Sequence, residues 1–301
     1  MERLPAPRAK RYHRALMPIH SVGVVGCGLM GSGIAQVSAQ KGHPTVVREV
    51  SDEALKRGMD RIRSFLAEGV KRGKMTQAQM DEVLGNLRGT TRLADLQDCD
   101  LVIEAVVENL DEKRKVWGEL DRVCKPSTIF ASNTSSISIS AQAAATARAD
   151  RFLGLHFMNP VPLMKLVEIV RPEAASAEAY SVAKSFAESL GKVTVTAKDT
   201  PGFIVNLILV PYLCEAVRAL ERGLATREDI DTGLELGCGV PMGPLKLLDF
   251  VGLDTTLYIM DVLHTAWPEP KYEAPALLRR MVAEGRMGKK AGKGFYDYSK
   301  A

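Results

Sequence analysis

The chain has 301 residues, 46% of them apolar and 25% charged, with a formal charge of +4. That is the make-up of a globular protein of one large domain or two of ordinary size, and no apolar run reaches the roughly 18 residues of a membrane span. So small a positive charge gives no footing to nucleic-acid binding, though it suits a phosphate-bearing ligand if the charge is clustered.

The five cysteines (Cys27, Cys99, Cys124, Cys214 and Cys238) are scattered and never form a C-x-x-C pair. Neither a metal site nor a disulfide framework is expected, and a reducing compartment follows. Residues 1–16 are basic, with Arg3, Arg8, Lys10, Arg11 and Arg14 against Glu2 alone. They lack the apolar core of a secretory signal, so they read as a disordered extension or an organelle-type presequence. The first reading implies a cytoplasmic protein, the second a mitochondrial matrix one.

Residues 19–25 form a short apolar strand running into Gly26-Cys-Gly-Leu-Met-Gly31, with helix character from about Ser32. A lone G-x-G-x-x-G is weak, but this one has a strand before it, a helix after it and an acid, Glu49, about 20 residues on. Gly26 allows the tight turn, Gly28 close approach to a pyrophosphate, and Gly31 helix-on-strand packing. With Leu29 and Met30 these residues open a helix whose free N–H groups face phosphates. Glu49 would meet ribose hydroxyls and repel a 2′-phosphate, favouring NAD; the neighbouring Arg48 leaves NADP open.

Two helices are expected from Asp52 to about Gly85, rich in Lys and Arg, including Lys71, Arg72 and Lys74. Such a run is either a solvated face or a hold on the phosphates of an acidic substrate tail. A strand at 101–108, a helix at 110–124 and a short strand at 129–130 lead to the polar cluster Ser132-Asn-Thr-Ser-Ser136. That cluster follows a strand, where open α/β sheets place ligands; a helix cap is the bland alternative.

Two more strands flank a turn containing Asn159-Pro160; the first ends at His156, and the second carries Glu168 among Leu, Val and Ile. A carboxylate there is costly unless paired, and antiparallel pairing about the turn could bring His156 to it. The pair is either a satisfied core histidine or a base oriented by its acid. A helix near 177–190 and a strand at 192–197 complete an alternating pattern, so residues 17–200 should form a Rossmann-type, mostly parallel α/β domain. Residues 201–301 read as all-helical: 203–220 interrupted by Pro211 and Glu215, a helix capped by Thr226, and stretches near 245–265 and 274–284. The glycine–lysine run 288–294 lacks P-loop spacing.

Taken together these motifs resemble the L-3-hydroxyacyl-CoA dehydrogenases, including the bacterial 3-hydroxybutyryl-CoA dehydrogenases. The matching stretches are Gly26 to Gly31, Glu104-Ala-Val-Val-Glu108, Ser132 to Ser136, His156-Phe-Met-Asn-Pro160, Pro201-Gly-Phe-Ile-Val-Asn206 and Gly288 to Tyr296. The resemblance implies His156 as catalytic base, Glu168 as its orienting partner, and Ser135 and Asn206 as hydrogen-bond donors to the substrate oxygen. It implies Glu108, Lys113 and Asn159 as further cofactor contacts, and the basic helical pair (Lys71, Arg72, Lys74) as the hold on coenzyme A. It also implies a homodimer through the helical domain. Leu207 departs from the pattern, standing where many members carry Arg. A dehydrogenase of a free hydroxy acid or sugar acid, and a non-catalytic dinucleotide-binding protein, are the rival readings.

Overall fold

A computed structural model of the chain describes residues 18–299; the basic leader lies outside the described residues. The described chain falls into two compact units. The first holds the residues up to Thr134 with Ile139–Thr196, and the second holds Ser135–Ser138 with the chain from Ala197 onward.

The first unit is built on the eight-stranded sheet. Its strands are β1 (Val22–Val25), β2 (Thr45–Arg48), β3 (Leu87–Thr90), β4 (Leu101–Glu104), β5 (Ile129–Ser132), β6 (Phe152–Phe157), β7 (Leu166–Arg171) and β8 (Val193–Lys198). They lie in the order β3-β2-β1-β4-β5-β6-β7-β8, parallel from β3 to β6, with β7 antiparallel to β6. The order reverses beside β1, which makes the crevice between β1 and β4 the switch point where such sheets take ligands. The helices are α1 (Leu29–Gln40), α2 (Asp52–Lys71), α3 (Gln77–Gly85), α4 (Leu110–Val123), α5 (Ile139–Ala143) and α6 (Ala177–Ser189).

The central strands are apolar throughout because both faces are covered: Val22, Val24, Val25, Leu101, Val102 and Ile103 are all fully buried. Val22, Val24, Leu101 and Ile103 pack with Ile34, Leu155, Ile169 and Phe186 in one core, each such side chain contributing roughly 1.5–3 kcal/mol. Ser51 caps α2 by accepting from the Ala54 N–H, and Thr76 with Gln79 forms a capping box on α3.

The strand expected at 101–108 ends at Glu104, and three further details differ from the sequence expectation. The edge strand β3 has no apolar run, since Arg88 and Gly89 occupy its middle. Helix α1 begins at Leu29 rather than near Ser32, with Gly28 as its N-cap. Strand β6 continues one residue past His156, so the histidine lies within the ladder and not at its end.

The second unit comprises α7 (Val205–Glu221), α8 (Arg227–Cys238), α9 (Pro244–Val251), α10 (Leu253–Ala266) and α11 (Ala276–Ala283). Leu213, Val217, Leu245, Leu248, Met260, Leu263 and Leu278 form its core. Pro211 is carried inside α7, and Glu215 faces solvent in an ion pair with Arg218 at 2.5 Å. Thr226 caps α8 as expected from its sequence, accepting from the Asp229 N–H. The helical stretch near 245–265 breaks at Gly252, whose φ of 103° is a conformation other residues rarely adopt. The glycine-rich run 288–294 has a packing reason: Asp249 accepts from the N–H groups of Phe295 and Tyr296, both at 2.8 Å. A Cβ at Gly294 would lie 1.8 Å from Asp249 Oδ1, so only glycine fits. No described helix is long and apolar enough to cross a membrane.

Candidate active site

The glycine-rich turn joins β1 to α1. Gly26 has φ 92°, and a Cβ there would meet the Ala105 carbonyl oxygen at 2.6 Å. A Cβ on Gly31 would lie 1.8 Å from the Gly26 oxygen, so α1 sits on the strand at a distance only glycine permits. Gly28 is different: nothing lies within 4 Å of the position its Cβ would take. The space is open at the N-cap of α1, where no side chain caps the helix and where Leu29 is 60% exposed. A diphosphate fits that arrangement, since backbone N–H groups and the positive end of the helix dipole face the space that Gly28 leaves clear.

Glu49, just past β2, reaches across this turn. One carboxylate oxygen accepts from the Cys27 N–H at 3.0 Å and the other from the Val50 N–H at 2.9 Å. The charge is therefore fixed beside the loop, where a ribose would meet an acceptor and a 2′-phosphate would meet repulsion. Arg48 points its Nε at the Thr91 carbonyl, 3.4 Å away. Burial, reinforced by the Glu49 carboxylate, pushes the Cys27 thiol up to about 12, so it stays protonated and inert.

On β6 and β7 the ladder places His156 directly opposite Glu168. His156 Nδ1 and Glu168 Oε2 are 2.7 Å apart, with the side chains 6% and 0% exposed. A fully buried carboxylate accepting from Nδ1–H fixes the tautomer in which Nε2 carries the basic lone pair. Asn159 is exposed in the turn between these strands.

The end of β4 carries a second buried acid. Glu104 is 0% exposed, pairs with Lys113 Nζ at 2.6 Å, and accepts from Ser132 Oγ and the Val106 N–H, both at 2.7 Å. Lys113, itself 1% exposed, also reaches Glu108 at 3.2 Å, and the Thr134 hydroxyl donates to Glu108. Asn133 receives the Phe157 N–H at 2.9 Å and so ties the polar cluster to the histidine strand. Glu104 closes an apolar strand as Glu168 interrupts one, and that is its signal in the sequence; Asn133 carries none beyond its place in the polar cluster. In the sequence Arg61 is one cation among several in a charged helix; in the fold its guanidinium reaches the Cys27 carbonyl at 3.3 Å.

In the second unit Asn206, in the first turn of α7, donates to the Ser135 carbonyl at 3.5 Å; both residues are half-buried. The basic helical pair is divided. Lys56, Arg57, Arg63 and Arg72 are spent on acids of their own helix, Arg72 on Glu68 at 2.6 Å. Lys71 and Lys74 are exposed, and Lys74 lines a cavity of its own. Among the described residues no group of three His, Cys, Asp or Glu side chains could hold a metal.

Against known proteins, residues 21–200 match the NAD binding domain of 3-hydroxyacyl-CoA dehydrogenase and residues 202–298 its C-terminal domain. The 3-hydroxybutyryl-CoA dehydrogenase of Mycobacterium tuberculosis is 49% identical over 282 residues, covering 93% of this chain and 99% of that one. The human mitochondrial hydroxyacyl-coenzyme A dehydrogenase is 46% identical over 287 residues, 93% of this chain and 91% of its own. Among solved structures, the (S)-3-hydroxybutyryl-CoA dehydrogenase of Ralstonia eutropha superposes with a TM-score of 0.90 at 46% identity, covering 94% of this chain and 100% of that one.

Proposed function

The chain belongs to the 3-hydroxyacyl-CoA dehydrogenase family, whose members are NAD-dependent oxidoreductases acting on CH–OH, and we propose that it interconverts short L-3-hydroxyacyl-CoA thioesters, such as 3-hydroxybutyryl-CoA, with their 3-keto forms. The observation that carries the chemistry is the buried contact between His156 Nδ1 and Glu168 Oε2 at 2.7 Å. NAD, when bound, supplies the hydride acceptor. His156 Nε2 takes the proton of the 3-hydroxyl, and Glu168 holds the ring in the productive tautomer and balances the imidazolium that forms. General-base help of this kind is worth about 10²–10⁴-fold in rate. Ser135 and Asn206 are assigned to hydrogen-bond the substrate oxygen as its charge changes, a contribution of roughly 2.7–4 kcal/mol per donor in comparable sites.

Gly26, Gly28, Leu29, Met30 and Gly31 are assigned to the diphosphate and Glu49 to the adenosine ribose, supported by the open space over Gly28 and the anchored carboxylate. Glu108, Lys113 and Asn159 are assigned to the nicotinamide half. Lys71, Arg72 and Lys74 are assigned to the coenzyme A tail, with Arg72 the weakest of the three because Glu68 already holds it. Pairing of two copies through the helical unit is supported by its exposed apolar side chains, among them Ile208 at 66%, Leu236 at 84% and Phe250 at 49%. A reducing compartment, the cytoplasm, suits five cysteines of which none is in a disulfide.

The test is spectrophotometric, following NADH and NADPH oxidation with acetoacetyl-CoA and longer 3-ketoacyl-CoAs. NADH oxidation fastest with the four-carbon substrate is expected. No turnover of any 3-ketoacyl-CoA, with turnover of a free keto acid or sugar acid, would overturn the assignment. Light scattering on the purified protein tests the dimer, and a monomeric mass would remove it.

A further inference from the structure

We propose that the first unit carries, apart from the glycine-rich turn, a cavity built to bind a small ligand with clustered phosphate groups. The cavity has a volume of about 400 Å³ and is bounded by the end of α1, the α2–α3 linker, α3, the loop between β6 and β7, and the residue preceding β8. That falls in the range of small-molecule sites. Lys41, Lys74 and Lys192 line it against a single acid, Glu82. None of the three lysines is ion-paired to a carboxylate among the described residues. This sets them apart from Lys56, Arg57 and Arg63 of α2 and Arg72 at its C-cap, each ion-paired to an acid one turn away.

Lys192 makes the cavity more than a charged surface. It is 8% exposed, and its Nζ donates to the carbonyls of Val161 at 2.6 Å and Met164 at 2.7 Å. An ammonium has three donors, so one remains after these two. Pinning the loop explains Lys192 alone; it does not explain why Lys41 and Lys74, from two other elements, line the same space. Burial holds the Lys192 ammonium below its ordinary value, and an anion beside it would offset that cost. The ligand's phosphates have two sources, the tail of the coenzyme A substrate or a free phosphorylated metabolite, and only the first rests on the function proposed above.

Pyrophosphate is the probe, titrated calorimetrically at low ionic strength into the full chain saturated with NADH, so that the glycine-rich turn is already filled. Binding is expected in the wild type, weakened at least tenfold in Lys192→Met and in Lys41→Gln. Lys41 is exposed, so the second variant keeps the test valid should the first misfold. No binding to the wild type, or equal binding to wild type and Lys41→Gln, overturns the proposal. NADH binding, read separately by fluorescence, reports on the dehydrogenase assignment whatever pyrophosphate does. A Lys41→Gln variant whose KM rises at least fivefold for acetoacetyl-CoA but not for acetoacetyl-pantetheine identifies the substrate tail. Weakened pyrophosphate binding with both KM values unchanged identifies a free anion.

Discussion

Replacing Glu168 by Gln keeps the shape of the side chain and removes its charge. In the wild type the carboxylate is 0% exposed and lies 2.7 Å from Nδ1 of a histidine that is 6% exposed, so little solvent screens the contact. A hydrogen bond to a charged group contributes about 1.5–3 kcal/mol, against about 1 kcal/mol for a neutral one. Its charged character is used twice, in setting the tautomer and in balancing the imidazolium as the proton arrives. A loss of about 2–3 kcal/mol in the transition state follows, or roughly 30- to 150-fold in kcat. Because neither group is assigned to binding the coenzyme A tail, KM for acetoacetyl-CoA should stay within about threefold. The assay is NADH oxidation at saturating acetoacetyl-CoA, with circular dichroism and Tm run in parallel to show that the variant is folded. His156→Ala should lose more, at least about a hundredfold, while binding NADH nearly as well as wild type. A folded Glu168→Gln enzyme turning over within threefold of wild type would refute the reasoning and leave Glu168 a packing partner of a core histidine.

The glycines of the β1–α1 turn should separate by mechanism. Gly28→Ala has room for its methyl group in the free protein, so Tm should hold while NADH affinity falls at least about tenfold, read by fluorescence titration. Gly31→Ala has none, its Cβ falling 1.8 Å from the Gly26 oxygen, so Tm itself should drop. Unchanged NADH affinity in a folded Gly28→Ala variant would contradict the assignment of the open space to the diphosphate. Glu49→Ser removes the charge anchored on the Cys27 N–H, and the NADH-over-NADPH preference in kcat/KM should narrow by roughly tenfold, about 1.4 kcal/mol. Lys113→Met strands Glu104, which is 0% exposed, as an uncompensated buried charge; about 3–5 kcal/mol of stability should go, lowering Tm by on the order of 10 °C in a scanning calorimeter.

Much of the fold is legible because its central strands are covered on both faces and therefore read as apolar runs bounded by turn residues. The exceptions have physical causes. Leu87–Thr90 joins the sheet at its edge, where one side is unpaired and Arg88 and Gly89 are tolerated, so no periodicity marks it. Gly252 breaks a continuous apolar stretch into α9 and α10 through a positive φ, which composition alone does not announce. The run 288–294 lacks the spacing of a phosphate loop, and its glycines answer instead to Asp249, because close backbone approach demands glycine whether the neighbour is a ligand or a carboxylate.

The site divides along the same line. An acid inside an apolar strand must have a partner, and that single argument pointed from Glu168 to His156, which the β6–β7 register brings opposite each other. Applied evenly, it would have led also to Glu104, whose strand Leu101-Val102-Ile103 is as apolar and whose partner Lys113 comes from the following helix. Local spacing gave only half of the sorting of the cations, the half set by acids one turn away. Lys71, Arg72 and Lys74 are near neighbours of the same chemical kind, yet Arg72 is neutralised by Glu68 while Lys74 joins Lys41 and Lys192 around a cavity. A charge's availability depends on which acid lies within a few ångströms of it, and for Lys74, Lys41 and Lys192 that is fixed by three elements far apart in the chain. The phosphate-binding potential of a basic helix is therefore lowered locally by acids one turn away and decided for the remaining cations by tertiary neighbours, and counting lysines alone overstates it.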